Sequence, residues 1–385
     1  MMPRTVTRLV QSRLAEYPSV AIVGPRQCGK TTVGKALSQN YFDLEQESDR
    51  LRLDLAWNDL SSSEQLIVLD EAQSWPELFP RLRGEIDQNR SLRGRYLLLG
   101  SISPALMHQV TQSLAGRLAL VEMSPLNQIE LTSDQQRDRH WFFGGYFDGV
   151  VCNDSDLLDW QSNYIRLLAY RDLPEWGLSA RPSTTLRLMK MLAYRNGQIW
   201  NASELGKSLS LSYHTVNSYV DYLEGAYLLR RLPAYHKNIG KRLVKSPKLY
   251  WRDSGLLHSL LGIDNTEHLF SYPSVGQSWE AHVIEQLLSS LTNLGRSFDA
   301  FHVRFANGRE IDLLVQFNSR LWAIEIKLTT NPTVDEFRLA VENSEMLGAT
   351  NTLLICRTTN IVANKTSAVC DLATATRFLL EGSVS

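Results

Sequence analysis

The sequence Gly-Pro-Arg-Gln-Cys-Gly-Lys-Thr occupies residues 24–31 and follows an apolar run, Ser-Val-Ala-Ile-Val, at residues 19–23. It fits the P-loop pattern and lies where a phosphate site needs it, between a predicted strand (19–24) and a predicted helix (31–37). Its glycines let backbone N–H groups turn toward phosphates, while the lysine reaches the outer phosphates and the threonine can bind Mg²⁺. The predicted nucleotide-binding residues are Gly24, Pro25, Arg26, Gln27, Cys28, Gly29, Lys30, Thr31 and Thr32.

A second apolar run, Leu-Ile-Val-Leu at residues 66–69, ends in Asp70 and Glu71. Two acidic residues after four apolar ones are typical of a buried strand that ends at a functional edge. We expect Asp70 to hold Mg²⁺ together with Thr31, and Glu71 to act as the general base on the attacking water. The adjacent acid favours hydrolysis of the nucleotide over mere sensing of it.

Two further residues extend this candidate site. Ser101 follows the apolar run Leu-Leu-Leu-Gly at residues 97–100, so we expect it to lie between the two halves of the site. Arg117, in the stretch Leu-Ala-Gly-Arg, has two interpretations. It contacts the γ-phosphate, in its own or a neighbouring subunit, or it is a surface arginine.

Together these stretches resemble the AAA+ ATPase superfamily. They are most similar to a prokaryotic group in which the ATPase precedes a C-terminal domain of unknown function, and the resemblance covers nearly the whole chain. It continues through Asp172-Leu173-Pro174 and the stretches at 246–250 and 324–327. The resemblance implies a polar sensor role for Ser101 and makes Arg117 a candidate for the arginine that completes a neighbour's site in a homo-oligomer.

Composition sets the frame for the whole chain. It has 385 residues, of which 43% are hydrophobic and 21% charged, and these values predict a folded protein of two or three domains. Its net charge of -1 excludes a general affinity for polyanions, so any nucleic-acid surface must be local. Four scattered cysteines and the lack of a long apolar run favour a cytoplasmic protein away from membranes.

The predicted fold class is α/β. Short apolar strands at 19–24, 41–44, 66–69 and 96–99 alternate with helices, which predicts a P-loop AAA+ parallel sheet over residues 1–135. A helical lid is predicted over 136–182 and a winged helix-turn-helix over 183–235. A restriction-endonuclease-like α/β domain is predicted over 236–385, with strands at 301–305, 310–317 and 321–328.

A helix-turn-helix is predicted from residues 202–208 and 213–224, with His214, Asn217 and Tyr219 on the outer face of the second helix. The following stretch, 230–252, contains eight basic residues and no acidic residue, which favours binding to a phosphate backbone, most readily that of DNA. The alternative is a module for protein contacts with a solvated basic edge. The basic residues are Arg230, Arg231, Lys237, Lys241, Arg242, Lys245, Lys248 and Arg252.

A second set of acidic residues lies near the C-terminus. Glu325 and Lys327 are two residues apart on one predicted strand, so they share a face, and Asp312 lies on the preceding strand. With Glu280 on an upstream helix they resemble the PD-(D/E)XK nuclease superfamily. That resemblance implies Mg²⁺ held by Asp312 and Glu325, with Lys327 near the scissile phosphate. The alternative is a solvated sheet face or an inactive nuclease-like domain.

The favoured interpretation is an ATPase that uses ATP and Mg²⁺ and acts on nucleic acid, with cleavage at the second site as an added activity. The first rival is an ATP-controlled DNA- or protein-binding module whose nuclease-like domain is inactive. A small-molecule phosphotransferase is the second rival, which the basic stretch and the second acidic set disfavour. The candidate catalytic residues are Lys30, Glu71, Ser101, Arg117, Glu280, Asp312, Glu325 and Lys327.

Overall fold

The computed structural model describes residues 3–100, 113–147, 154–235, 245–305 and 308–384, and its strands form three sheets. The first is a five-stranded parallel sheet with the order β2-β3-β4-β1-β5. Its strands are β1 (Ser19–Val23), β2 (Tyr41–Asp43), β3 (Ile67–Asp70), β4 (Tyr96–Gly100) and β5 (Leu118–Glu122). The predicted parallel sheet is confirmed, and four of its strands lie where the apolar runs placed them.

Four helices cover the two faces of this sheet. They are α1 (Val6–Glu16), α2 (Lys30–Leu37), α3 (Glu47–Ser62) and α4 (Leu78–Gln88). Helices α1 and α2 pack with Ile22 and Leu99 on one face, whereas α3 and α4 pack with Leu69 and Leu98 on the other. Strands buried on both sides explain why the sequence shows continuous apolar runs.

A largely helical region follows. Its helices are α5 (Asp134–Phe143), α6 (Asp154–Leu167), α7 (Pro182–Tyr194), α8 (Ala202–Leu209), α9 (Tyr213–Gly225), α10 (Ser254–Leu261) and α11 (Thr266–Ser271). A π-helical turn, Leu168–Asp172, continues α6 and leads into the single turn Leu173–Glu175. The predicted helix pair is present as α8 and α9, with Asn201 capping the first and Ser212 the second.

A small antiparallel sheet of order β6-β8-β7 accompanies these helices. Its strands are β6 (Gln198–Ile199), β7 (Leu229–Leu232) and β8 (Lys248–Trp251). The sheet therefore continues past residue 235, the predicted end of the winged-helix module, because β8 pairs along the whole length of β7.

The C-terminal unit is a six-stranded mixed sheet of order β13-β14-β12-β11-β10-β9, with α12 and α14 on one face and α13 on the other. The predicted β9-β10-β11 meander is confirmed, and Asn318 and Ser319 join its last two strands with positive φ angles of 51° and 58°. The elements are α12 (Val275–Asn293), β9 (Phe298–Arg304), β10 (Glu310–Phe317), β11 (Arg320–Ile326), α13 (Val334–Leu347), β12 (Asn351–Ile355), β13 (Val362–Ala363), β14 (Ser367–Cys370) and α14 (Leu372–Glu381).

Buried charges join the three units. Arg252, at the end of β8, donates to Glu122 at the end of β5 (2.5 Å) and to Glu285 on α12 (2.9 Å). Arg230 on β7 also pairs with Glu285 at 2.8 Å. The two arginines outweigh burial and hold the pKa of Glu285 below its usual value, so this carboxylate stays charged. Since breaking a buried pair leaves an uncompensated charge, these contacts fix the units against one another.

No helix in the described ranges is both long and apolar enough to cross a membrane.

Candidate nucleotide site

The loop at residues 24–31 follows β1 at the carboxyl end of the first sheet. Gly24 has φ +153°, and a β-carbon there would lie 2.1 Å from the backbone oxygen of Met123, so this position requires glycine. Gly29 has φ +100° and directly precedes α2. Gln27 also has a positive φ of 61°. The loop thus has the strained backbone that a phosphate-binding turn needs.

Lys30 is buried at the start of α2. Its ammonium donates to the carbonyl oxygens of Gly24 (3.0 Å) and Pro25 (2.7 Å), so the side chain folds back along the loop. This arrangement places a positive charge beside the loop's backbone N–H groups. Phosphate oxygens that bind there would meet both kinds of donor.

The predicted magnesium ligands meet across the ends of β1 and β3. Thr31 donates its hydroxyl to Asp70 Oδ2 at 2.6 Å, and Tyr41 donates to the same oxygen at 2.7 Å. Burial and the neighbouring carboxylate raise the pKa of Tyr41, which therefore remains a donor. A hydroxyl and a carboxylate at this distance fit the oxygen ligands of a Mg²⁺ ion that also binds phosphates. Nothing in the sequence indicated that Tyr41 would contact Asp70.

Glu71 lies next to this pair in an unusual backbone conformation, with φ 47° and ψ 46°. Burial raises the pKa of its carboxyl above the usual value, while a hydrogen bond from the Gln73 amide and the charge of Lys30 lower it in part. A partly buried carboxyl group with a raised pKa that lines a cavity has the properties of a general base.

A cavity of about 600 Å³ opens over the loop, a volume typical of small-molecule sites. Two apolar side chains on its wall, Phe147 and Leu167, are half exposed, with 50% and 52% of their surface accessible. The cavity therefore combines the polar groups of the P-loop with apolar side chains, the two kinds of surface that a nucleotide offers partners for. The lining residues are Arg4, Arg26, Gln27, Cys28, Gly29, Lys30, Thr31, Thr32, Glu71, Leu126, Phe147, Tyr164, Leu167, Arg171 and Asp172.

The π-helical turn after α6 connects to the loop directly. Asp172 forms an ion pair with Arg26, and the Tyr164 hydroxyl donates to the Arg26 carbonyl at 3.1 Å. Asp172 belongs to the Asp-Leu-Pro stretch that contributed to the resemblance, but its partner was not predicted. A π-helical turn is rare and often marks a functional site.

Arg4 holds the loop from the other side. Its guanidinium donates to the carbonyl oxygens of Cys28 (2.5 Å) and Ser124 (2.7 Å) and to the carboxylate of Glu130 (3.1 Å). Glu130 is fully buried and also accepts from the backbone N–H of Thr5. Nothing in the sequence near Arg4 indicated this contact, since its partners lie 24 to 126 residues away.

The two remaining candidates have different outcomes. Ser101 lies outside the described residues. Arg117 lies at the opposite end of the sheet, because it precedes Leu118, which pairs with Ser19 at the start of β1. With about 3.3 Å per residue, the strand separates it from the P-loop end by roughly 13 Å. Its guanidinium donates two hydrogen bonds to Asp87, both 2.8 Å. The interpretation that Arg117 contacts the γ-phosphate of its own subunit is therefore wrong.

The stretch at 230–252 is less positive than its composition suggested. Arg230, Arg231, Lys248 and Arg252 each form ion pairs with carboxylates from other segments. The prediction of eight uncompensated basic residues is therefore wrong for these four. Lys245 is exposed, while Lys237, Lys241 and Arg242 lie outside the described residues. On α9, His214 is exposed, but Asn217 accepts a hydrogen bond from Trp200.

The C-terminal candidates do come together. In the β10–β11 register Leu313 pairs with Ile324, which sets Asp312 beside Glu325. Lys327 pairs with Glu325 at 2.8 Å, and Glu280 approaches from α12. Burial and the nearby carboxylates raise the pKa of Asp312, and burial raises that of Glu325. A residue that was not predicted here, Lys248, lies among these acids.

Family comparisons agree with the first part of this geometry. The AAA domain model matches residues 16–132, which include the P-loop, Asp70 and Glu71. Two domains of unknown function match the rest, DUF8612 over residues 134–267 and DUF4143 over residues 275–374. The prediction of an AAA-type P-loop unit is confirmed, whereas the nuclease-like character of the C-terminal unit stays a prediction.

Two mycobacterial proteins match most of the chain. Uncharacterized protein Rv2008c of Mycobacterium tuberculosis and Uncharacterized protein Mb2031c of Mycobacterium bovis are each 38% identical over 336 residues, 86% of this chain and 75% of theirs. Among solved structures, the Walker-type ATPase PABY2304 of Pyrococcus abyssi has a TM-score of 0.45 and 13% identity, covering 68% of this chain and 96% of that one.

Glu71 allows a test based on pH. As a base it is active when deprotonated, so turnover should fall as the pH drops through its pKa, with a midpoint above the usual 4.5 of a glutamate. Gln73→Leu removes a donor that stabilises the charged form, so the midpoint should move to a higher pH. Gln88→Leu, on exposed α4 surface, is the matched control. An identical pH profile for Gln73→Leu and the wild type would contradict this assignment.

Proposed function

The chain belongs to the protein family that includes Rv2008c and Mb2031c, its N-terminal unit is an AAA domain, and we propose that this unit binds ATP with Mg²⁺ and hydrolyses it. The observation that carries the proposal is the hydrogen bond from the Thr31 hydroxyl to the Asp70 carboxylate at one edge of a parallel sheet, with the Glu71 carboxyl near Asp70 and Lys30. This edge is where α/β proteins bind their ligands.

Each residue then has a role in the reaction. Lys30 and the loop N–H groups bind the β- and γ-phosphates, and Thr31 and Asp70 would hold a magnesium ion, which would neutralise the phosphate charge. Glu71 accepts a proton from the attacking water, and burial favours this because its raised pKa makes it a stronger base. Phe147 and Leu167, on the wall of the cavity, would contact the adenine.

We also propose that the ATPase acts on nucleic acid. It would bind the nucleic acid through helices α8 and α9 and the β6-β8-β7 sheet, which have the element order of a winged helix. Two features support this. Tyr213 and His214 are exposed at the start of α9, the part of such a helix that enters a groove. The connection from β7 to β8, residues 233–247, contains four basic residues and no acidic one, where a winged helix has its wing.

For the C-terminal unit we propose a binding role without cleavage, which is the alternative that the sequence left open. Within the described ranges, no three histidine, cysteine or acidic side chains are grouped so that they could hold a metal ion. Asp312 and Glu325 lie side by side, but the Glu280 carboxylate, which would be the third ligand, accepts hydrogen bonds from Lys248 and Tyr250. The unit then presents a nuclease-like surface to the bound nucleic acid.

Two substitutions test the ATPase. Lys30→Ala removes the main cation of the phosphate site, so ATP binding should be lost. Glu71→Gln should keep ATP binding but reduce turnover by at least ~10²-fold, the scale of a missing general base. Phosphate release and equilibrium ATP binding are measured with Lys190→Ala, an exposed lysine on α7, as control. Normal phosphate release by Glu71→Gln would remove Glu71 from the mechanism.

The nucleic-acid proposal is tested by charge reversal. Lys241→Glu, Arg242→Glu and Lys245→Glu together should weaken binding to all DNA and RNA sequences and flatten its salt dependence. Reversal of three exposed residues on the C-terminal unit, Arg338, Lys365 and Arg377, changes the net charge equally and serves as the control. If both triple variants bind like the wild type, the β7–β8 connection does not contact the phosphate backbone.

A further inference from the structure

A buried lysine lies at the centre of the C-terminal acidic cluster. Lys248 belongs to β8 of the small antiparallel sheet, yet its side chain, 5% exposed, points into the neighbouring unit. Its ammonium lies 3.0 Å from Glu280 Oε1 on α12. It is also 3.9 Å from Glu310 Oε2 and 3.9 Å from Asp312 Oδ1, both on β10. One ammonium therefore faces carboxylates from two elements of the C-terminal unit.

Two carboxylate oxygens of the cluster already accept hydrogen bonds from the protein. Tyr250 and Lys248 both donate to the same oxygen of Glu280. Asp312 Oδ2 accepts from the backbone N–H of Ile326 at 2.9 Å, which leaves its other oxygen facing Lys248. One oxygen of Glu280 and one of Asp312 are therefore bonded to donors of the protein itself, whereas Glu325 Oε2 is buried without a hydrogen-bond partner.

The balance of acidic and basic groups in the cluster also indicates a structural role for Lys248. The cluster has four carboxyl groups and two lysines, and the second lysine, Lys327, pairs with Glu325. Lys248 is the cation that faces the other three, Glu280, Glu310 and Asp312. Without it, the buried Asp312 and the largely buried Glu280 would lie beside Glu310 with Lys327 as the remaining counter-charge, which is costly in a medium of low dielectric.

This arrangement does not fit the metal that the PD-(D/E)XK resemblance implies. Mg²⁺ requires near-octahedral oxygen ligands at about 2.1 Å. The Asp312 oxygen left for such an ion is Oδ1, which faces the Lys248 ammonium at 3.9 Å, because Oδ2 accepts from Ile326. Two unshielded cations in one pocket repel each other strongly. The residues therefore suit a lysine better than a metal ion.

We propose that Lys248 is the resident cation of this cluster, in place of a divalent metal, and that it ties the small sheet to the C-terminal unit. Lys248 is thus a positioning residue, not a catalytic one. Because the cation is part of the chain, the joint between the two units forms at any concentration of Mg²⁺. The inference does not depend on ATP hydrolysis, since the cluster is separate from the nucleotide cavity.

Manganese binding tests this inference directly. Mn²⁺ is titrated into the nucleotide-free, full-length protein carrying Asp70→Asn, which silences the P-loop metal site, and bound Mn²⁺ is counted by electron paramagnetic resonance. Lys248→Met keeps the length of the side chain without its charge, so it should gain one Mn²⁺ site. Adding Asp312→Asn should abolish that site. Lys365→Met, an exposed lysine, should gain none.

Two outcomes would overturn the proposal. The first is a Mn²⁺ site in the protein with Lys248 intact that disappears on Asp312→Asn, since the cluster would then hold a metal beside the lysine. That comparison needs only variants that retain Lys248, so it decides the matter even if Lys248→Met does not fold. The second is a folded Lys248→Met protein without a new Mn²⁺ site, which would show that the lysine does not stand in a metal's place.

Discussion

The hydrogen bond from the Thr31 hydroxyl to the Asp70 carboxylate, 2.6 Å long, is the contact on which the nucleotide site depends. It joins α2, the helix after the P-loop, to the end of β3, which is separated from β1 in the sheet by β4. The parallel order β2-β3-β4-β1-β5 makes this possible, because it brings the carboxyl ends of β1 and β3 to one edge. Gly24 then keeps the loop close to Met123, and Glu71 follows Asp70 in the chain.

The same edge of the sheet is connected to the rest of the protein. Arg4 joins the Cys28 carbonyl of the loop to Glu130, and Glu130 accepts from the backbone of Asn127 at 2.9 Å. Asn127 in turn donates to the Gln286 carbonyl on α12 at 3.0 Å. Arg252 forms a second connection between β5 and α12. A continuous set of polar contacts therefore runs from the phosphate loop to the helix that carries Glu280.

The sequence predicted those parts of the structure that local patterns determine. The P-loop, the acidic end of β3 and the β10–β11 hairpin all follow from a few adjacent residues. The edge strand β5 was not predicted, although residues 118–121 form an apolar run in the sequence. The charge of 230–252 was misjudged because the compensating acids lie outside this stretch, as Glu285 does for Arg230. For the same reason the position of Lys248 could not be predicted.

Magnesium dependence of nucleotide binding tests the central claim most directly. Binding of a non-hydrolysable fluorescent ATP analogue is measured with and without Mg²⁺, for the wild type, Asp70→Asn and a control, Asp87→Asn, at the other end of the sheet. If Thr31 and Asp70 hold the ion, Mg²⁺ should tighten binding about tenfold, ~1.4 kcal/mol, in the wild type and control but not in Asp70→Asn. Equal affinity with and without Mg²⁺ in the wild type, or unchanged dependence in Asp70→Asn, would contradict the account.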